Sequence, residues 1–99
     1  MLKTIISDTS CLILLAKIGE LDLLNKIYGE IIITPEISLE YGQSLPSWIM
    51  IVPVKNRSKQ IEVEKIVDLG EASALALALE FSNVLVVLDD KRGRIQTYS

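Results

Sequence analysis

Five carboxylates stand where the chain changes character: Asp8, Glu40, Glu71, Asp89 and Asp90. Asp8 falls in "TIISDTSCLILLAKIG", after an apolar stretch and before two hydroxyls, Thr9 and Ser10, that open a second apolar run. Glu40 lies near the end of "PEISLEYG", Glu71 opens "EASALALALEF", and the paired aspartates close "NVLVVLDD". Clustered carboxylates repel one another unless a cation neutralises them. Oxygen-only donors favour Mg²⁺ or Mn²⁺ over zinc. Two such ions can activate a water and stabilise the leaving oxygen in phosphodiester cleavage.

The rest of the composition narrows the chemistry further. The chain has no histidine, which excludes Ser–His and Cys–His nucleophile pairs, HExxH zinc sites and histidine bases. Its single cysteine, Cys11, can build neither an internal disulfide nor a thiolate metal cage. With 10 basic and 13 acidic residues the net charge is −3, so a generic nucleic-acid coat is excluded and phosphates would need a local basic patch or a metal. The one dense basic cluster is Lys91, Arg92 and Arg94, whose plainer reading is a solvated helix start. Ninety-nine residues, 49% of them hydrophobic, predict one domain with a real core. No apolar run approaches the roughly 20 residues that span a bilayer, and Asp8 interrupts any signal-peptide core. A soluble, cytoplasmic protein is expected.

The elements that must position these acids follow from periodicity. Lys3 to Ser7 is short, apolar and β-branched, hence a buried strand. Residues 10–17 read as a helix with Asp8, Thr9 or Ser10 as N-cap and Gly19 as stop. "ELDLLNKIYG" gives a second helical piece, "EIIIT" (30–34) a second strand, and residues 35–42 a short helix with Pro35 in its first turn. "WIMIVPV" (48–54) is extended, with Pro53 suited only to an edge or a strand end. "SKQIEVEKIVDLG" predicts an amphipathic helix with Ile61, Ile66 and Leu69 on one side, stopping at Gly70. Residues 71–81 predict a buried helix, and "NVLVVLDD" (83–90) is the most hydrophobic strand. Strands separated by helices give an α/β fold with a mainly parallel sheet. In such a sheet, Asp8 and the aspartate pair share the carboxyl rim where ligands gather, with Glu71 and Glu40 on neighbouring helices.

Each acid also has a plainer role. Asp8, and Asp89 or Asp90, are preferred helix caps. Glu71 complements a helix macrodipole, and Glu40 is by default a solvated helix residue. Thr9 and Ser10 are ordinary cap or turn hydroxyls. It is the conjunction of the acids at one rim that points to chemistry.

The segments "IISDTSCLILLAKIGELDLL", "IITPEISLEYG", "LPSWIMIVPV", "DLGEASALALALE" and "VLVVLDDKRGR" resemble, in order and wording, the PIN-domain superfamily, in particular its VapC-like branch of prokaryotic proteins. The resemblance spans nearly the whole chain. It implies a three-layer α/β/α sandwich with a mainly parallel PIN-like sheet, and a Mg²⁺- or Mn²⁺-dependent endoribonuclease, the toxin of a toxin–antitoxin pair with an antitoxin protein as partner and RNA as substrate. Carried over by position, the catalytic acids are Asp8, Glu40, Glu71 and Asp90, with Asp89 the next choice for the last. The metal ligands are Asp8, Asp90, Asp89 and Glu71, and Ser10 of the DTS motif is a hydroxyl that orders the site.

Two departures from the family pattern stand out. Ser73 occupies a position where relatives often carry a further acid, and "RGRIQTYS" does not read like the usual continuation through another helix and strand. A C-terminally shortened PIN domain over residues 1–99 is therefore expected, lacking the last strand and helix. The competing reading is a truncated remnant that acts only through protein–protein association. A phosphoacceptor receiver domain ranks below both, because the acid pair sits on the last strand. With the fifth strand missing, Val84 to Leu88 would form an exposed apolar edge, which predicts a homodimer or larger assembly through that edge or by exchange of the C-terminal segment.

Overall fold

The computed structural model describes residues 3–89 and 95–98. Strand β1 (Thr4–Ser7) leads directly into helix α1 (Thr9–Lys17), followed by α2 (Asp22–Tyr28), β2 (Ile31–Ile33), α3 (Pro35–Tyr41) and β3 (Ile49–Ile51). Helices α4 (Arg57–Glu64) and α5 (Leu69–Ala78) precede β4 (Val84–Asp89) and β5 (Ile95–Tyr98). The caps explain most boundaries. Asp8 accepts the Cys11 amide to start α1, and Thr34 accepts the Ile37 amide to start α3, which has proline in its first turn. Gly42 ends α3 in the left-handed region at φ 68°, which glycine adopts without steric cost.

The five strands lie in the order β3-β2-β1-β4-β5, with β1 central. β1 pairs in parallel with both β2 and β4, aligning Ile6 with Ile32 on one side and Val86 on the other. The chain steps outward from β1 to β3 and returns across the sheet to β4, so the order reverses at β1. Right-handed crossovers then place the helices of the outward run and of the return on opposite faces, the α/β/α layering. The core is aliphatic, with Ile6, Leu12, Ile31, Ile33, Ile37, Leu77 and Val87 fully buried. Small residues Ala72, Ala74 and Ala76 let α5 approach closely. No helix among the described residues is long and apolar enough to cross a membrane.

Two sequence expectations give way here. The amphipathic helix expected over 58–70 stops at Glu64, and α5 starts afresh at Leu69 behind a new cap, Asp68. Ile61, Ile66 and Leu69, expected to face the core, are exposed, while Gln60 is fully buried. Gln60 is inside because its polar atoms are satisfied: its amide nitrogen donates to Glu36 and its carbonyl accepts from Arg57. The second correction concerns the sheet edge. A fifth strand is present, and β4 is not an edge: β5 pairs antiparallel along it, from Val86 opposite Tyr98 to Asp89 opposite Ile95. Residues 95–98 pair with the backbone of β4, and that is what an edge needs.

Candidate active site

The reversal of strand order at β1 opens the rim between the carboxyl ends of β1 and β4, the place where open α/β sheets bind ligands. The chain reaches it from β1 with almost no loop. Ser7 ends the strand in register with Val87, and the Asp8 amide donates to the Val87 carbonyl at 3.1 Å, pinning Asp8 to the start of the rim. Its side chain, only 5% exposed, turns back to accept the Cys11 amide at 2.8 Å. The same side chain that caps α1 also lies at the cleft on this rim.

Helix α3 packs against both α1 and α5, so its end reaches the same rim. There Glu40 Oε1 accepts the Thr9 hydroxyl at 3.2 Å. From the other side, α5 begins at the rim, and Asp68 accepts the Glu71 amide at 3.0 Å. Asp8, Thr9, Ser10, Glu40, Asp68, Gly70 and Glu71 together line one cleft of about 190 Å³. Among the described residues its lining holds four carboxylates and no lysine or arginine.

Three of the expected acids, 32 and 31 residues apart along the chain, thus come to one cleft with Ser10 beside them. Asp89 ends β4 on the same rim in backbone position. Asp90, Lys91, Arg92 and Arg94 lie outside the described residues. Asp68 was not anticipated, although its signal was in the sequence: an aspartate three residues before Glu71 is the spacing of a helix-capping pair. Ser73, which departs from the family pattern, is not among the residues lining the cleft. It is fully buried, and its hydroxyl donates to the Gly70 carbonyl at 2.8 Å and lies 2.6 Å from the Thr34 hydroxyl.

The donor set is chemically suited to a hard divalent cation, being entirely carboxylate and hydroxyl oxygen. Among the described residues, no three acid, histidine or cysteine side chains stand close enough to hold a metal ion.

The sheet thus reverses at its central strand and carries carboxylates from three separate segments on its carboxyl rim. A family model described as a PIN domain matches residues 4–97, and the chain belongs to the PIN-domain family. PIN domains are nuclease-type domains and generally use divalent metal ions. Searches of curated proteins and of solved structures gave no match.

Proposed function

We propose that this chain is a divalent-metal-dependent endoribonuclease, with Mg²⁺ or Mn²⁺ as its ion and the role of toxin in a toxin–antitoxin pair. One observation carries the reading: Asp8, Glu40 and Glu71, from three distant segments, line the same cleft at the switch point of a PIN-family sheet. In this reading Asp8, Glu71, Asp89 and Asp90 would hold the ion, with Ser10 ordering them and Glu40 completing the acidic set. When bound, the ion activates a water and stabilises the leaving oxygen in phosphodiester cleavage. The chain's own contribution is to hold the acids in place before substrate arrives, through the Asp8 cap on α1, the Asp68 cap on α5 and the Thr9 hydroxyl on Glu40. Because the charged residues lining the cleft among the described residues are all acidic, RNA phosphate would be held by the ion and by Lys91, Arg92 and Arg94. The antitoxin would be a protein that covers this rim.

The deciding experiment is cleavage of single-stranded RNA by the purified chain with Mn²⁺, with Mg²⁺ and with chelator. Cleavage that needs the ion, is lost in Asp8→Asn and falls steeply with salt is expected. Cleavage that persists in chelator, or in Asp8→Asn, would mean a contaminating nuclease. Mn²⁺ binding without any cleavage would favour the association-only alternative.

A further inference from the structure

Gly70 meets the Glu40 carboxylate at closer range than any side chain would permit. A Cβ added to Gly70 would overlap the Glu40 carboxylate and would come within 3.2 Å of Thr9 Oγ1. Gly70 itself sits in the first turn of α5, does not have a positive φ, and is buried. Backbone conformation therefore gives no reason for glycine here, and helix propensity argues against it. What the missing Cβ provides is room for the end of Glu40.

A second observation fixes the depth of this contact. Each hydroxyl has a single proton to give. Ser73 Oγ gives its proton to the Gly70 carbonyl, so the Thr34 hydroxyl must give its own to Ser73 Oγ while accepting the Ile37 amide. This relay ties the N-cap of α3 to the first turn of α5. Glu40 lies further along the same helix, so its backbone is carried to the side of Gly70 while the end of its side chain can still turn.

We propose that Gly70 is a positioning residue: it keeps open the space in which Glu40 lies against Thr9 in the cleft it shares with Asp8 and Glu71, and any side chain at position 70 expels Glu40 from the cleft. The inference rests on the reading of Glu40 as a member of the acidic set. Alanine is compatible with a helical position, and the obstructing atoms are the mobile end of Glu40, so Gly70→Ala is expected to fold with an unchanged or raised Tm. The damage should appear only at the site.

The test uses two readouts on the full chain. In the metal-free protein, nuclear Overhauser contacts between the Glu40 γ-protons and the Thr9 methyl are expected in the wild type and absent in Gly70→Ala. With Mn²⁺ as probe, calorimetry should show about a 10-fold weaker Kd in Gly70→Ala, the lower end of what loss of a supporting contact costs a metal site. Adding Gly70→Ala to Glu40→Ala should then cost nothing more. Persistent Overhauser contacts in Gly70→Ala would overturn the proposal. So would equal Mn²⁺ affinity in wild type and Gly70→Ala, or an equal further loss in the Glu40→Ala background. If the wild type binds no Mn²⁺ while the Overhauser contacts still vanish in Gly70→Ala, the metal reading fails and the spacing role of Gly70 is upheld.

Discussion

An aspartate that caps α1 through the Cys11 amide and also lines the cleft constrains which substitution can report on which role. Asparagine caps helices about as well as aspartate, whereas alanine at an N-cap costs about 1 kcal/mol. Asp8→Asn also removes one of the four carboxylates that the described residues bring to the cleft. In chelator, Asp8→Asn is therefore expected to melt at or above the wild-type Tm and Asp8→Ala below it, while both lose Mn²⁺ affinity. Thermal unfolding and calorimetry check the pair, and an Asp8→Asn that melts well below the wild type would show that the negative charge itself is structural. That Asp8, Glu40 and Glu71 meet at one cleft was legible because their conjunction at element ends falls on the carboxyl rim of a parallel sheet. Asp68 was not, since "VDLG" closes the one helix expected over 58–70. The contact between Gly70 and Glu40 had no sequence signal, because it joins segments thirty residues apart.

Helices α3, α4 and α5 are joined by polar contacts that hydrophobic periodicity does not reveal. Reading α4 by its apolar residues put Ile61 and Ile66 inside, yet the buried position went to Gln60, held by Glu36 and Arg57. A helix this short and polar has too few apolar residues for its period to decide which face turns inward. The same cluster sets an acid sensitivity. Burial pushes the Glu36 carboxyl up, but hydrogen bonds from Gln60, its own backbone and Arg57, with the charge of Arg57, outweigh that and leave it below its ordinary 4.5. A carboxyl lowered in the folded state adds stability above its unfolded pKa and loses it as pH falls through the folded value. Denaturant melts of Glu36→Gln and wild type should differ at pH 7 and converge as pH falls through the folded value, which lies below 4.5. A constant gap across that range would assign the effect to packing. The Thr34–Ser73–Gly70 relay makes a parallel prediction without charge. Ser73→Ala strands a buried hydroxyl and a carbonyl, a loss of about 1–3 kcal/mol, or at about 4–8 °C per kcal/mol a Tm drop that scanning calorimetry resolves easily.

At the scale of the whole molecule, the central place of β1 beside β4 was legible through the resemblance to PIN domains, which implies that strand order. The outer edge was misjudged for a physical reason. "NVLVVLDD" was weighed by its apolar side chains, for which a short polar segment is poor cover, whereas a strand edge is defined by unpaired N–H and C=O groups. Ile95–Tyr98 meets that need with β-prone isoleucine, threonine and tyrosine, pairing Val86, Val87, Leu88 and Asp89 in turn. The motive for edge-to-edge association through β4 is thus removed in the full chain and should return when β5 is taken away. A variant ending at Arg94 leaves β4 with one side paired to β1 and the other open, over a stretch of valine and leucine that contains no proline or charge before Asp89. That variant is expected to self-associate at micromolar concentration, with light scattering rising in time and with concentration, while the 99-residue chain shows no such growth. Lysine at Val84 or Val86 in the shortened chain should slow the growth, since charge on an open edge disfavours strand addition. A shortened chain that stays monodisperse and folded would show that β5 does not protect β4, and that the edge is blunted by something other than strand pairing.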